Sequence, residues 1–492
     1  MSQSHPPPDP RGSGPGLLPS LGLFSTVMMV VGGVIGSGIF RKPGVMAAQV
    51  GSPEILLAVW LLAGVMTLFG ALTNAEIAGM IPETGGQYVY FERMYGPFVA
   101  FLYGWAVFAV IQSGSIAAVA YVFAEYAGQF IRLPEASAAL AGWSVHLPFI
   151  GDIAPLKELG TKGLAAALIA FLTAVNYLGV RFGGLVQNVF TIAKVGAMLL
   201  LVLGAFLLPT GGSAANLTTT SSAIHPQGLA LAAGIAAALQ GAFWAYDGWN
   251  KITYIAGEVK EPQRNIPRAL VGGMVLVTAI YLVMNVAYAF VLPVDRMAQS
   301  KLVAADVAER CFSGGGRWIA AAVMVSTLGT ANAVILATAR VYFSMARRNV
   351  FPQFLGQAHR RFHTPAASLV VQGVWSALLL FSGTFDTLTD TLIFVSWVFY
   401  AAGAYGVFVL RRKAPEAPRP YRVPGYPFVP WTFILFATVY LVFTVYNDIT
   451  GYQAAVAAGK PAMINSAFGV ALVLVGTPIY LWYRGHRERH KP

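Results

Sequence analysis

A chain of 492 residues in which 57% are apolar and only 11% charged, with a mean hydropathy of +0.64, is excluded from the ordinary soluble globular class. Its net charge of +12 does not call for nucleic acid, because basic loops facing an anionic leaflet account for it. The single cysteine, Cys311, excludes an intramolecular disulfide and a cysteine-based metal site.

Residues 1–19 are rich in Pro and Gly, without the basic-then-apolar layout of a signal peptide, and read as a disordered cytoplasmic tail. Nearly uncharged windows of about 20 residues then follow one another. They lie near residues 21–40, 55–80, 97–127, 163–180, 185–208 and 229–255. Six more lie near 269–292, 318–345, 366–382, 387–410, 429–446 and 466–483. The expected fold class is an all-α membrane protein with twelve transmembrane helices. With the first span running outward, the amino terminus, even loops and carboxyl tail hold about twice as many Lys and Arg as the odd loops. The bias is strongest in Arg340–Arg361, Arg411–Arg422 and the basic tail of residues 485–492, so both termini are expected in the cytoplasm. His359 and His363 have helical spacing but lie in one of these basic loops, where solvated surface is the reading rather than a metal site.

Two spans are interrupted at their centres. VVGGVIGSGIF carries Gly36-Ser37-Gly38 and GAFWAYDGWN carries Asp247-Gly248. Broken backbone at bilayer depth is tolerated only where it lines a polar cavity, the way secondary transporters build substrate sites. The breaks are 211 residues apart, with five spans in each unit, which fits an inverted repeat over residues 20–208 and 228–411. The last two helices, residues 428–484, are extra.

If the first helix stops near Ile35 and restarts near Gly38, the restarted half presents free N–H groups and the positive end of its dipole, suited to a carboxylate. The halted half leaves the carbonyls of Val34 and Ile35 for an ammonium donor. One molecule with both groups is an α-amino acid. The alternative from these residues is an unbroken helix with Gly32 and Gly36 as a small-residue packing face.

Asp247 is a carboxylate at membrane depth, with two readings: a cap for the helix restarting at Gly248, or a functional group that attracts a cationic side chain or carries protons. Lys194 lies about 14 Å into the fifth span at ~1.5 Å per residue, too deep to snorkel. It shares a helical face with Asn188 and Thr191, so its ammonium points into the bundle. Glu76, Asn176, Asn285 and Asn332 read as interhelical hydrogen-bonding residues. Asn250, after the second break, is a candidate tie between the restarted helix and its neighbours.

The segments GGVIGSGIF, MIPETGGQYVYFERMYGP and FWAYDGWNKITYIAGEVKEPQRNIPRAL resemble the amino acid–polyamine–organocation superfamily, and within it the L-type amino acid transporters. The resemblance implies a two-repeat fold with broken helices 1 and 6, alternating access and sodium-independent exchange of amino acids. It implies that the N–H groups of Ser37 and Gly38 hold the substrate carboxylate. The carbonyls of Val34, Ile35 and Trp244 would take its ammonium, with Gly36, Ala245, Asp247 and Gly248 completing the two breaks. The Trp244 ring is then the outer gate, and Ile111 and Ser115 line the side-chain pocket. Lys194 stands where sodium-coupled relatives bind a cation, with Ser326 and Thr330 as partners. Animal members that pair with a heavy chain carry a cysteine between spans three and four. Residues 129–161 contain none, so no disulfide-linked heavy chain is expected, and the chain reads as a standalone bacterial plasma-membrane transporter, monomer or homodimer.

The leading reading is therefore a sodium-independent exchanger of L-amino acids, not an enzyme, with no cofactor and no metal. The runner-up is a proton-coupled or uniporting carrier of cationic amino acids or polyamines, with Lys194 or Asp247 as proton carrier. A channel wants a continuous polar pore, and a membrane enzyme a cluster of His, Asp or Cys within the spans; neither pattern is present. A nutrient sensor would keep the site and lose turnover.

Overall fold

The computed structural model describes residues 19–143, 145–147, 151–153, 155–178, 180–300, 302–381, 385–458 and 463–489. The tail expected at residues 1–19 therefore lies, but for Pro19, outside the described residues.

Among the described residues, eleven helices are long and apolar enough to cross a membrane, and the fold is an all-α multi-span bundle. The first span is two helices, α1 (Leu23–Val34) and α2 (Gly38–Val50). After α3 (Pro53–Met80) and the short α4 (Gln87–Tyr95) comes α5 (Pro97–Ala127), which contains a π-helical turn at Val107–Ile111. A one-turn helix and a two-stranded antiparallel ribbon, Val145–Leu147 with Gly151–Ile153, lead to α6 (Leu159–Tyr177) and α7 (Val180–Leu207). The sixth span is α8 (Gly228–Tyr246), followed by a 3-10 helical segment, Trp249–Glu258. Helix α9 (Pro262–Val291) is followed by two short helices, α10 (Val294–Gln299) and α11 (Val303–Cys311), and by α12 (Gly315–Arg347). Then come α13 (Ala366–Leu379), α14 (Phe385–Lys413), α15 (Phe428–Ala457), α16 (Asn465–Leu474) and α17 (Gly476–Arg489). The predicted ninth span is α13, whose 14 residues fall short of the roughly 17 that a perpendicular crossing takes. The expected twelve is reached only by counting it. The basic tail expected from residue 485 continues α17 as helix to Arg489.

The packing is paired. Helix α3 packs on α9, α5 on α12, α2 on α8 and α6 on α13. Contacts of α1 with α9 and α7 have counterparts in those of α8 with α3 and α14, and α12 on α7 matches α5 on α14. Helices α15 and α16 lie against α14 and present apolar residues such as Leu435 and Val442 outward, a lipid-facing surface.

Both broken spans end on one another. Ser20 and Leu21 donate their N–H groups to the Glu258 carbonyl, and Leu21 bridges Val259. At this end Arg340, which counts as a loop cation in the sequence, is 1% exposed and pairs with equally buried Glu258, Nε to Oε1 at 2.8 Å. Glu76, expected as an interhelical hydrogen-bonding residue, does join two helices, accepting from Arg411 at 2.9 and 2.7 Å and also from the Val423 N–H. A carboxylate that deep is held only when its lone pairs are met by cations and donors. Asn176 does join helices, donating to Asn332 across α6 and α12 at 2.8 Å. Asn285 bonds the Tyr281 carbonyl of its own helix.

Candidate functional site: two broken helices in contact

The first break spans Ile35, Gly36 and Ser37. Ile35 turns to extended backbone (φ −69°, ψ 93°), and α2 begins with Phe40 and Arg41 donating to the Ser37 carbonyl. Among the described residues nothing accepts from the N–H groups of Gly36, Ser37 and Gly38, which leaves the positive end of α2 open to an anion. The Ser37 hydroxyl is also buried without a partner. The second break is at Asp247, extended (ψ 153°), and Gly248, whose φ of +100° suits glycine.

The two breaks touch. A Cβ on Gly38 would lie 2.5 Å from the Ala245 Cα, and one on Gly248 would lie 2.7 Å from the Gly33 carbonyl oxygen. Glycine is thus required at Gly38 by close approach, not by its own dihedrals. The Tyr281 hydroxyl spans the junction, 3.2 Å from the Val34 carbonyl and 2.9 Å from that of Ala245.

Lys194 secures the first break from behind. Its Nζ lies 2.6 Å from the Ile35 carbonyl, 3.0 Å from Gly32 O, 3.1 Å from Ser326 O and 3.0 Å from Thr330 Oγ1. All four partners are neutral oxygens, more than the three ammonium hydrogens can serve at once. The charge sits at the carboxyl end of α1, where the helix dipole is negative. Thr330 Oγ1 also lies 2.8 Å from Ile35 O. The break that leaves carbonyls unpaired is thus met by a cation and a hydroxyl from two other helices, because lipid offers them nothing.

The second break is held by charge. Asp247 does not cap the restarted segment, whose capping position is Gly248 with no side-chain bond. Its Oδ2 pairs with Lys251 Nζ at 3.2 Å, and its Oδ1 accepts from the Tyr400 hydroxyl of α14 at 2.8 Å. The Lys251 and Asp247 side chains are 6% and 4% exposed.

The expected site residues do not all fall in one place. Val34, Gly36, Ser37, Gly38, Ser115, Trp244, Asp247 and Thr330 line one small cavity of about 20 Å³. Lys194 and Ser326 lie behind the first break, while Ile35 and Ala245 contribute carbonyls already engaged by Lys194 and Tyr281. Gly248 shapes the second break, and Asn250 is fully buried beyond it. Ile111 is buried at the end of the π-helical turn and is not among the cavity-lining residues; Val119, two turns past Ile111, is. Gly33 and Lys251 complete the lining. Of the carbonyls expected to be free for an ammonium, Ile35 has Lys194 and Trp244 has the Asp247 N–H, while Val34 shares the single Tyr281 hydroxyl hydrogen with the nearer Ala245 carbonyl. The Ile35 carbonyl has both lone pairs engaged, by Lys194 and Thr330, whereas that of Val34 keeps one for a further donor. Lys251 and Tyr281 went unseen in the sequence. For Lys251 the available signal was the spacing of four from Asp247 across a break; for Tyr281 it was a hydroxyl at bilayer depth, which needs a partner.

An all-α multi-span bundle with two spans broken in contact at a polar cavity defines a membrane carrier. Residues 21–483 match the amino acid permease family, and the chain belongs to that family. It is 33% identical to the human b(0,+)-type amino acid transporter 1 over 405 residues, 82% of this chain and 78% of the relative. The serine/threonine exchanger SteT of Bacillus subtilis (strain 168) is 31% identical over 470 residues, 94% of this chain and 97% of that one. The human large neutral amino acids transporter small subunit 2 is 30% identical over all 492 residues, 85% of its own length.

Proposed function

We propose that this protein is a sodium-independent exchanger of L-amino acids that works by alternating access, with the substrate's carboxylate and ammonium held at the two breaks. The observation that carries the reading is the contact of Gly38 with Ala245 beside unpaired N–H groups. A carboxylate there meets the Gly36, Ser37 and Gly38 amides and the α2 dipole, while the second lone pairs of the Val34 and Trp244 carbonyls accept an ammonium. Sodium independence is supported by Lys194, whose ammonium occupies the kind of carbonyl and hydroxyl cluster that would otherwise coordinate a bare cation. The paired packing of the two halves supports two five-helix repeats of opposite orientation, residues 20–208 and 228–411. The Lys and Arg bias supports cytoplasmic termini. The exchanger and transporters among the relatives support the substrate class.

In this reading the loaded carrier crosses between outward- and inward-open states faster than the empty one, because the substrate supplies the missing partners at both breaks. The test is uptake of radiolabelled alanine, serine, leucine and arginine into proteoliposomes in sodium-free buffer, with and without unlabelled amino acid inside, at two pH gradients. Uptake confined to preloaded vesicles supports the exchanger. Uptake into empty vesicles driven by an inward proton gradient replaces it with the proton-coupled carrier.

A further inference from the structure

The ion pair at the second break does something the mechanism above does not use. Asp247 and Lys251 both line the cavity, and each is nearly sealed from solvent. The lysine reaches the acid by folding back across Gly248: its Nζ lies 3.0 Å from where a glycine Cβ would stand. It therefore occupies the space beside the break, where the Gly33 carbonyl also comes close. The acid's other oxygen is taken by Tyr400. An unpaired carboxylate in that position would be a strong attractor for a guanidinium or ammonium side chain, since a buried charge demands a partner. Here the partner is built into the chain.

We infer that Lys251 is a specificity-determining residue: it holds Asp247 as a resident counter-cation, excludes cationic amino acids from the cavity and leaves the site to neutral, zwitterionic ones. This rests on the reading that the cavity takes an amino acid and goes further by naming the charge class and the residue that sets it. An incoming arginine or lysine side chain finds the acid neutralised and a lysine ammonium in its way, and like charges brought together in a desolvated site repel. A neutral side chain meets neither effect. Replacing Lys251 by a neutral residue of similar reach uncovers Asp247 without altering the first break.

The experiment is competition by L-arginine and L-lysine against exchange of whichever neutral amino acid the wild-type protein exchanges in proteoliposomes. Wild type is expected to ignore both cations at concentrations where neutral competitors are effective. Lys251→Gln should let arginine compete about ten-fold or more better, while Lys251→Arg keeps the exclusion. Asp247→Asn combined with Lys251→Gln should again exclude arginine, because the gain depends on the uncovered acid. The inference is overturned if wild type already exchanges arginine, if K251Q gains nothing, or if the double variant gains as much as K251Q, which would make the effect one of space. Should K251Q fail to accumulate, Lys251→Ser, which also removes the cation, carries the same expected gain, and arginine exchange by wild type or by the double variant still overturns the inference. A wild type that exchanges no amino acid sinks the proposed function itself, whereas neutral exchange without the K251Q gain sinks only this inference.

Discussion

The two breaks solve the same physical problem in different ways. At the first, orphaned carbonyls are satisfied by Lys194 from behind and by Thr330 at the cavity wall, and the cavity is given bare N–H groups and the Ser37 hydroxyl. At the second, a paired acid and base face the cavity themselves. Backbone amides recognise what every α-amino acid shares, while side-chain charge distinguishes one amino acid from another. On the proposed function, the first break binds the class and the second chooses within it.

The largest effect should come from cutting the support of the first break. Lys194→Met keeps the length and removes every ammonium bond. Thr330 has one hydroxyl hydrogen and cannot serve Gly32, Ile35 and Ser326 together. Ser326 O keeps its helical N–H, and the Ser326 hydroxyl reaches Ile35 O only at a stretched 3.4 Å, so one carbonyl is left poorly met. At about 2 kcal/mol for such a buried acceptor, exchange should fall by about 30-fold. The measurement is counterflow in proteoliposomes normalised to reconstituted protein, and near wild-type exchange would show that the lysine does not hold the break.

Gly38→Ala tests the contact between the breaks. On helix propensity alone, alanine would be favoured by up to about 1 kcal/mol. The added methyl, however, would sit 2.5 Å from the Ala245 Cα and 2.6 Å from its Cβ, and overpacking against backbone costs about 1–3 kcal/mol. Sterics should win, lowering substrate binding by about ten-fold in a thermal-shift or scintillation-proximity titration. Unchanged binding would mean that the breaks are not in tight register.

How much of this was legible in the sequence follows from what kind of signal each feature leaves. Broken spans show as Gly, Ser and Asp inside apolar windows, so the position of both breaks and of Lys194 could be read, whereas its partners Ser326 and Thr330 came only from the family resemblance. Partners brought together from distant helices leave no such mark. Tyr281 and Tyr400 look like ordinary aromatic residues in a span, and only the fold places their hydroxyls on Ala245 O and Asp247 Oδ1. Asp247 itself was visible, but its cap-or-charge ambiguity was local. Lys251 resolves it toward charge by competing for the same carboxylate. Arg340 was misplaced for a related reason: charge counting assigns cations to loops, and a cation with a buried acid such as Glu258 escapes that rule.

The smallest expected effect is the most discriminating for the second break. Tyr400→Phe removes the hydroxyl from Asp247 Oδ1 and leaves the Lys251 ion pair intact. One unmet oxygen on a carboxylate that keeps its cation should lower stability by about 1–3 kcal/mol, seen as a reduced unfolding temperature in detergent. Its effect on neutral exchange should stay within a few-fold, below that of either first-break variant. The informative comparison is with K251Q. Both variants strip one partner from the same acid, but only K251Q changes the charge that the cavity presents. If the pair selects by charge, Y400F must leave arginine excluded. If Y400F admits arginine as K251Q does, selection lies in how rigidly Asp247 is held rather than in its neutralisation, and the division of labour between the two breaks has to be redrawn around α14.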